Sequence, residues 1–144
     1  SSFPMSFRSI HQSVPFSLEG FGRLAIRLAT EDLSAETKAD ILVLMGCIAR
    51  YSEPGLHFED GGFAYFAAAI SILPKHFEAN LEILTLYREK PDGHNDIELA
   101  AKCLENIEST LDGRDEQDRA SFLEYQKTLT AHGVSVEMIR NRRT

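Results

Sequence analysis

The sequence predicts an all-α fold, and three observations predict it. Apolar residues recur at spacings of three and four in six successive stretches, the period of a helix with one inward face. No stretch shows the strict apolar–polar alternation of a half-buried strand. The stretches are separated by short clusters of Gly, Pro, Asn, Asp and Ser, so neighbouring helices are expected to pack antiparallel.

Residues 1–16 read as an irregular arm, because Pro4 and Pro15 interrupt it and no period develops. A single helical domain is expected over 17–140. Ser17 caps a first helix that reaches about Thr30, with Leu18, Phe21, Ala25 and Leu28 inward. Ser34 caps a second. Its stripe is Ile41, Leu44, Met45 and Ile48, and Leu42, Val43 and Cys47 widen it. A helix apolar on so many sides belongs at the centre of the fold. After a loop at 54–60, Asp60 caps a third helix through about Leu73, with Phe63, Phe66, Ala67 and Ile70 inward. Pro74 ends it and suits the first turn of the fourth helix, where its missing N–H is not needed. That helix runs to about Lys90 with Phe77, Leu81, Ile83, Leu84 and Tyr87 available to a core. Pro91-Asp92-Gly93 is a turn. The fifth helix follows Asn95 and carries Ile97, Ala100, Ala101, Leu104, Ile107 and Leu111; Gly113 should close it in a left-handed conformation. The sixth starts near Asp115, turns Phe122, Tyr125 and Leu129 inward, and ends at Gly133. Ser135 caps a short seventh turn through Ile139.

Composition narrows the classes of function. The chain has 144 residues, 43% apolar and 26% charged, as an ordinary globular domain has. A domain of this size buries roughly 70% of its unfolded surface, enough for a core without a staple. The net charge is −7, which disfavours nucleic acid and anionic membranes as partners. Arg140, Arg142 and Arg143 form a short basic tail, read as a solvated end. No apolar run approaches the roughly 20 residues of a membrane span. The first twenty residues hold no continuous apolar segment of the signal-peptide kind. A soluble, cytoplasmic protein is expected. Cys47 and Cys103 lie in apolar helical patterns without a CxxC neighbour, as reduced core thiols do.

Motifs for catalysis are absent: there is no GxSxG, GxxxxGK[ST], HExxH or GxGxxG, and no catalytic residue or cofactor is assigned. Two loops carry imidazole beside carboxylate, His57 with Glu59 and Asp60, and His94 with Asp96. These are donors that zinc accepts. Neither cluster has the three- or four-residue spacing of a helical metal site, so they are weak metal candidates. They define an alternative reading, a small metal-dependent helical protein or enzyme.

Three of the four tyrosines, Tyr51, Tyr87 and Tyr125, fall near the ends of alternate helices at spacings of 36 and 38 residues. Such a period marks a helix-pair repeat. Within it, Gly62 is followed four residues later by Phe66, then by Ala69, Pro74 and Ala79. Asn80, Ile83, Leu84 and Tyr87 come next, with Tyr87 thirteen residues after Pro74. This segment resembles the junction between two tetratricopeptide repeats, and the resemblance extends over about 34–130. Asn80 stands where that family prefers Trp, Leu84 where it prefers Gly, and Ser121-Phe122 replaces the third Leu-Gly pair. The loops at 53–60 and 91–95 are longer than the family's.

The resemblance implies antiparallel helix pairs stacked as a short right-handed array of six to seven helices. It also implies a groove, lined by the first helix of each pair, that binds a peptide or a partner helix. By position, Leu42, Met45 and Ala49 would line it from the second helix, and Glu78, Leu81, Thr85 and Arg88 from the fourth. Glu116, Arg119, Leu123, Gln126 and Lys127 would do so from the sixth. The partner-binding set is drawn from these: Met45, Ala49, Glu78, Leu81, Thr85, Arg88, Arg119 and Gln126. The arginines could meet carboxylates of a partner in two-pronged hydrogen bonds. The expected role is a protein–protein interaction module, an adaptor or a small chaperone-like protein. A self-associating subunit of a larger assembly is the other alternative. Full burial of both Met45 and Leu81 would speak against the groove.

Overall fold

The computed structural model describes residues 15–51, 62–89 and 97–131. Among them are six α-helices: α1 Leu18–Thr30, α2 Ala35–Tyr51, α3 Phe63–Ile72, α4 Phe77–Glu89, α5 Ile97–Thr110 and α6 Glu116–Ala131. A 3-10 turn, Leu111–Gly113, joins α5 to α6, and the described residues include no strand. The chain divides into two compact units, residues 1–79 and 80–144, with the boundary inside α4.

In the first unit the helix starts follow from side-chain caps. The Ser17 hydroxyl accepts from the Gly20 N–H at 3.4 Å, and the Ser34 hydroxyl accepts from the Thr37 N–H at 3.2 Å. Each satisfies one of the N–H groups a helix leaves open at its start. Both α1 and α3 pack against α2. Every residue of α2 from Ile41 to Ala49 is buried, as its all-round apolar pattern requires. Leu24, Ile41, Leu44, Met45 and Ile48 form the core of this unit, with Phe21, Ala25, Leu28, Leu33 and Tyr65 packed at its margin. Phe21 meets Tyr65 edge to face, ring centres 5.5 Å apart. Cys47 is buried and not disulfide-bonded.

Four expectations are corrected. In α1 the inward face centres on Gly20 and Leu24, so Leu18 points out and is 68% exposed. The sequence pattern allowed either side, because α1 is apolar on both. Helix α3 starts at Phe63 with Gly62 as its cap, two residues beyond the expected cap Asp60, which lies outside the described residues. Pro74 is in the turn before α4, not in its first turn. His76 stands at the helix start, and its Nδ1 accepts from the Ala79 N–H at 3.2 Å. Gly113 ends a 3-10 turn without a positive φ; among the described residues only Gly62 has one.

The direction of α3 against α2 can be traced residue by residue. Gly62 and Phe66 lie against Gly46, and His76, just past the end of α3, reaches back to Asp40. The two helices are therefore antiparallel. Their crossing is close because glycine stands on both sides of it. A Cβ on Gly62 would sit 2.6 Å from the Gly46 carbonyl oxygen, and a Cβ on Gly46 would sit 2.5 Å from the Phe66 ring.

The second unit buries Ile83, Leu84, Leu86 and Tyr87 of α4 and Ala100, Ala101, Cys103, Leu104 and Ile107 of α5. Phe122 and Tyr125 of α6 are buried too. Cys103 is not disulfide-bonded. Asp115 caps α6, accepting from the Asp118 N–H at 2.9 Å. Two asparagines are buried inside this apolar set: Asn106 donates to the Asn80 side-chain oxygen at 3.2 Å, and Asn80 is fully buried. A buried amide without its partner costs about 1–3 kcal/mol, whereas replacing both by apolar groups of similar shape can be nearly neutral. Asn80→Leu alone should therefore lower the denaturation midpoint clearly. Asn80→Leu combined with Asn106→Leu should recover most of that loss. A double variant that loses the sum of the two single losses would show that the pair is not coupled.

Candidate partner-binding face

The residues singled out for partner binding fall in different settings. Met45 and Ala49 belong to the buried run of α2, 4% and 3% exposed, and offer no surface. Glu78 is half-buried near the start of α4. Leu81 and Thr85 are half-buried further along that helix, and the Thr85 hydroxyl donates to the Leu81 carbonyl at 2.9 Å. Leu81 is thus not fully enclosed, while Met45 is. The Arg88 side chain lies outside the described residues, as do His57, Glu59, His94 and Asp96.

Helix α6 is different, because its predicted residues come together on one outward face. Phe122 and Tyr125 take the inward side and leave Glu116, Arg119, Ala120, Leu123 and Lys127 turned out at spacings of three and four. Ala120, Leu123, Glu124, Gln126 and Lys127 line a shallow surface depression of about 440 Å³. Leu123 is 59% exposed. Around it the charges are placed, not loose. Lys127 pairs with Glu124 at 3.1 Å, and the Arg119 guanidinium donates to the Arg114 carbonyl at 3.1 Å. Arg114 itself pairs with Asp118 at 2.9 Å. An apolar side chain open to water, flanked by one arginine and one lysine, can take an apolar side chain of a partner and hold a carboxylate beside it. Ala120 and Glu124 line the depression but were not singled out from the sequence. Their signal was only their spacing from Leu123 on the helix.

A second polar cluster, in the first unit, centres on His76 and Asp40, neither of which was singled out from the sequence. His76 is 5% exposed at its side chain, and its Nε2 lies 2.6 Å from the Asp40 carboxylate. Glu78 lies 3.6 Å from Nδ1. A buried His–Asp pair invites a catalytic reading, but the ring's lone pair on Nδ1 already accepts from the Ala79 N–H. The ring proton is therefore on Nε2 and is donated to Asp40. Neither nitrogen is open to a substrate, so the pair fastens the start of α4 to α2. Among the described residues no group of three or more His, Cys, Asp or Glu side chains could hold a metal ion.

No family model, curated protein or solved structure matches this chain. Fold and surface together define a class: an all-α protein of helices packed against their neighbours. No helix among the described residues is long and apolar enough to cross a membrane.

Proposed function

We propose that this chain is a protein–protein interaction module, built of helix hairpins of the tetratricopeptide kind, that binds a partner segment on the outer face of α6. The observation that carries the reading is Leu123, a large apolar side chain left 59% exposed in a depression edged by Gln126 and Lys127. The hairpin of α2 and α3 supports the repeat. It is antiparallel, and small residues meet at its crossing, as such hairpins need to approach closely. Tyr87 and Tyr125 are buried at 7% and 8%, as spacer tyrosines between units would be. Tyr51 departs from that pattern: it is 46% exposed, with the Arg50 guanidinium 5.0 Å from its ring centre.

The fitting partner is a short helix or extended peptide with an apolar anchor next to an acidic residue. Selection of a random peptide library on the purified protein should enrich that pairing. Leu123→Glu should weaken the selected peptides about 10-fold or more, the effect of losing a central anchor. Its melting temperature should stay close to wild type, because Leu123 contributes little to the core. Selected peptides that bind Leu123→Glu and Arg119→Glu unchanged would place the interaction elsewhere and remove the proposal.

A further inference from the structure

Helix α1 presents a second apolar stripe, on the side away from the core. Leu18 and Ile26 are 68% and 64% exposed, the highest values among the exposed large apolar side chains. Gly22 lies midway between them, four residues from each, and a Cβ built there meets nothing within 4 Å. Ala29, also exposed, continues the line. Residues at these spacings share one face of a helix. The opposite face is already occupied, since Gly20 and Leu24 are buried and Phe21, Ala25 and Leu28 pack on the core of the first unit. A helix apolar on both sides is one that something else covers.

The charges beside the stripe select the occupant. Glu19 and Arg23 form an ion pair along its edge, with side chains 64% and 58% exposed. The outward face is thus neutral, on a chain whose net charge is −7. Two copies of such a chain repel each other over most of their surface, and least where a neutral apolar stripe meets its like. The stripe is also self-complementary. In an antiparallel pair about a two-fold axis at Gly22, Leu18 of each copy faces Ile26 of the other. Glu19 of each copy then lies toward Arg23 of the other, and the absent side chain at Gly22 lets the two backbones approach on the axis.

We infer that a second copy of this chain docks on the outer face of α1 in an antiparallel helix pair. A helix of 13 residues is about 20 Å long and buries less than the roughly 1,200 Å² total of a stable dimer, so the association is weak and reversible. This reading uses no residue of α6, and the two readings can fail independently.

Sedimentation velocity of the full chain from about 5 μM to about 500 μM, the range a weak contact populates, tests the inference. The average mass should climb from that of the monomer toward twice it. Ile26→Glu should hold the protein monomeric across the range. Glu19→Arg or Arg23→Glu alone should weaken the dimer, and the double exchange should restore it, because both ends of the pair then regain opposite charges. Three results would overturn the inference. One is a constant monomer mass. Another is self-association that Ile26→Glu leaves unchanged. The last is a monomer whose melting temperature falls by several degrees with Ile26→Glu, because the stripe is then covered by another part of the same chain.

Discussion

Gly62→Ala should lower the melting temperature by roughly 10 °C, the largest effect expected of any methyl-sized change in the described residues. Two costs add at this position. Gly62 has φ +85°, a conformation that costs an alanine about 1–2 kcal/mol. The new Cβ would also lie 2.6 Å from the Gly46 carbonyl oxygen. That oxygen belongs to the backbone of the central helix and cannot swing away, so relief requires moving α3 as a whole. Forcing extra volume into a packed contact costs about 1–3 kcal/mol. Together these are roughly 2–5 kcal/mol, and in a domain of this size each kcal/mol is worth about 2–4 °C or more. Calorimetry of the single variant is enough. A shift within about 1 °C would mean that α2 and α3 do not cross closely at Gly62.

Gly46 meets the other side of the same crossing, but with a different neighbour. On an exposed helix Gly→Ala stabilises by up to about 1 kcal/mol. Here the added methyl would press on the Phe66 ring, which is fully buried. Gly46→Ala should therefore destabilise, against the helix-propensity trend, and Phe66→Leu should relieve part of that cost by shortening the side chain. The double variant should therefore lose less than the sum of the two singles, by about 1 kcal/mol.

How much of this could be read from the sequence depended on the range of the interaction. The Ser17 and Ser34 caps act within three residues and were readable directly. The centrality of α2 was readable because its apolar residues occupy every side, so no choice of face was needed. Helix α1 was misread at Leu18, since two apolar sides leave the inward one undetermined until a neighbour is in place. Gly62 stood out as part of the repeat-like pattern, but its counterpart Gly46 did not. Their contact joins positions sixteen apart, and nothing local in Met45-Gly46-Cys47 marks it. On α6, Leu123, Gln126 and Lys127 were placed on one face by the repeat resemblance, and they line one depression. His76 escaped notice for the same reason as Gly46. Its partner Asp40 is thirty-six residues away, and a lone histidine after Pro74-Lys75 carries no motif.

Replacing His76 with alanine should cost roughly 2–4 kcal/mol, because one ring performs two tasks. Its Nδ1 closes the open N–H of Ala79 at the start of α4, a cap worth about 1 kcal/mol. Its Nε2–H bonds the Asp40 carboxylate at 2.6 Å, and hydrogen bonds to charged groups contribute about 1.5–3 kcal/mol. The tasks separate by substitution. His76→Asn supplies a good cap but cannot span to Asp40, so it should recover about 1 kcal/mol of the loss and no more. Asp40→Ala should leave the cap intact and strand the Nε2–H, which is 5% exposed at its side chain and has little water to turn to. The His76→Ala/Asp40→Ala double variant should then lose less than the sum of the singles, by about 1–2 kcal/mol. Strict additivity in chemical denaturation would mean that the two groups do not act as a pair, and that the turn at 73–76 is held by the Leu73 carbonyl and the His76 N–H alone.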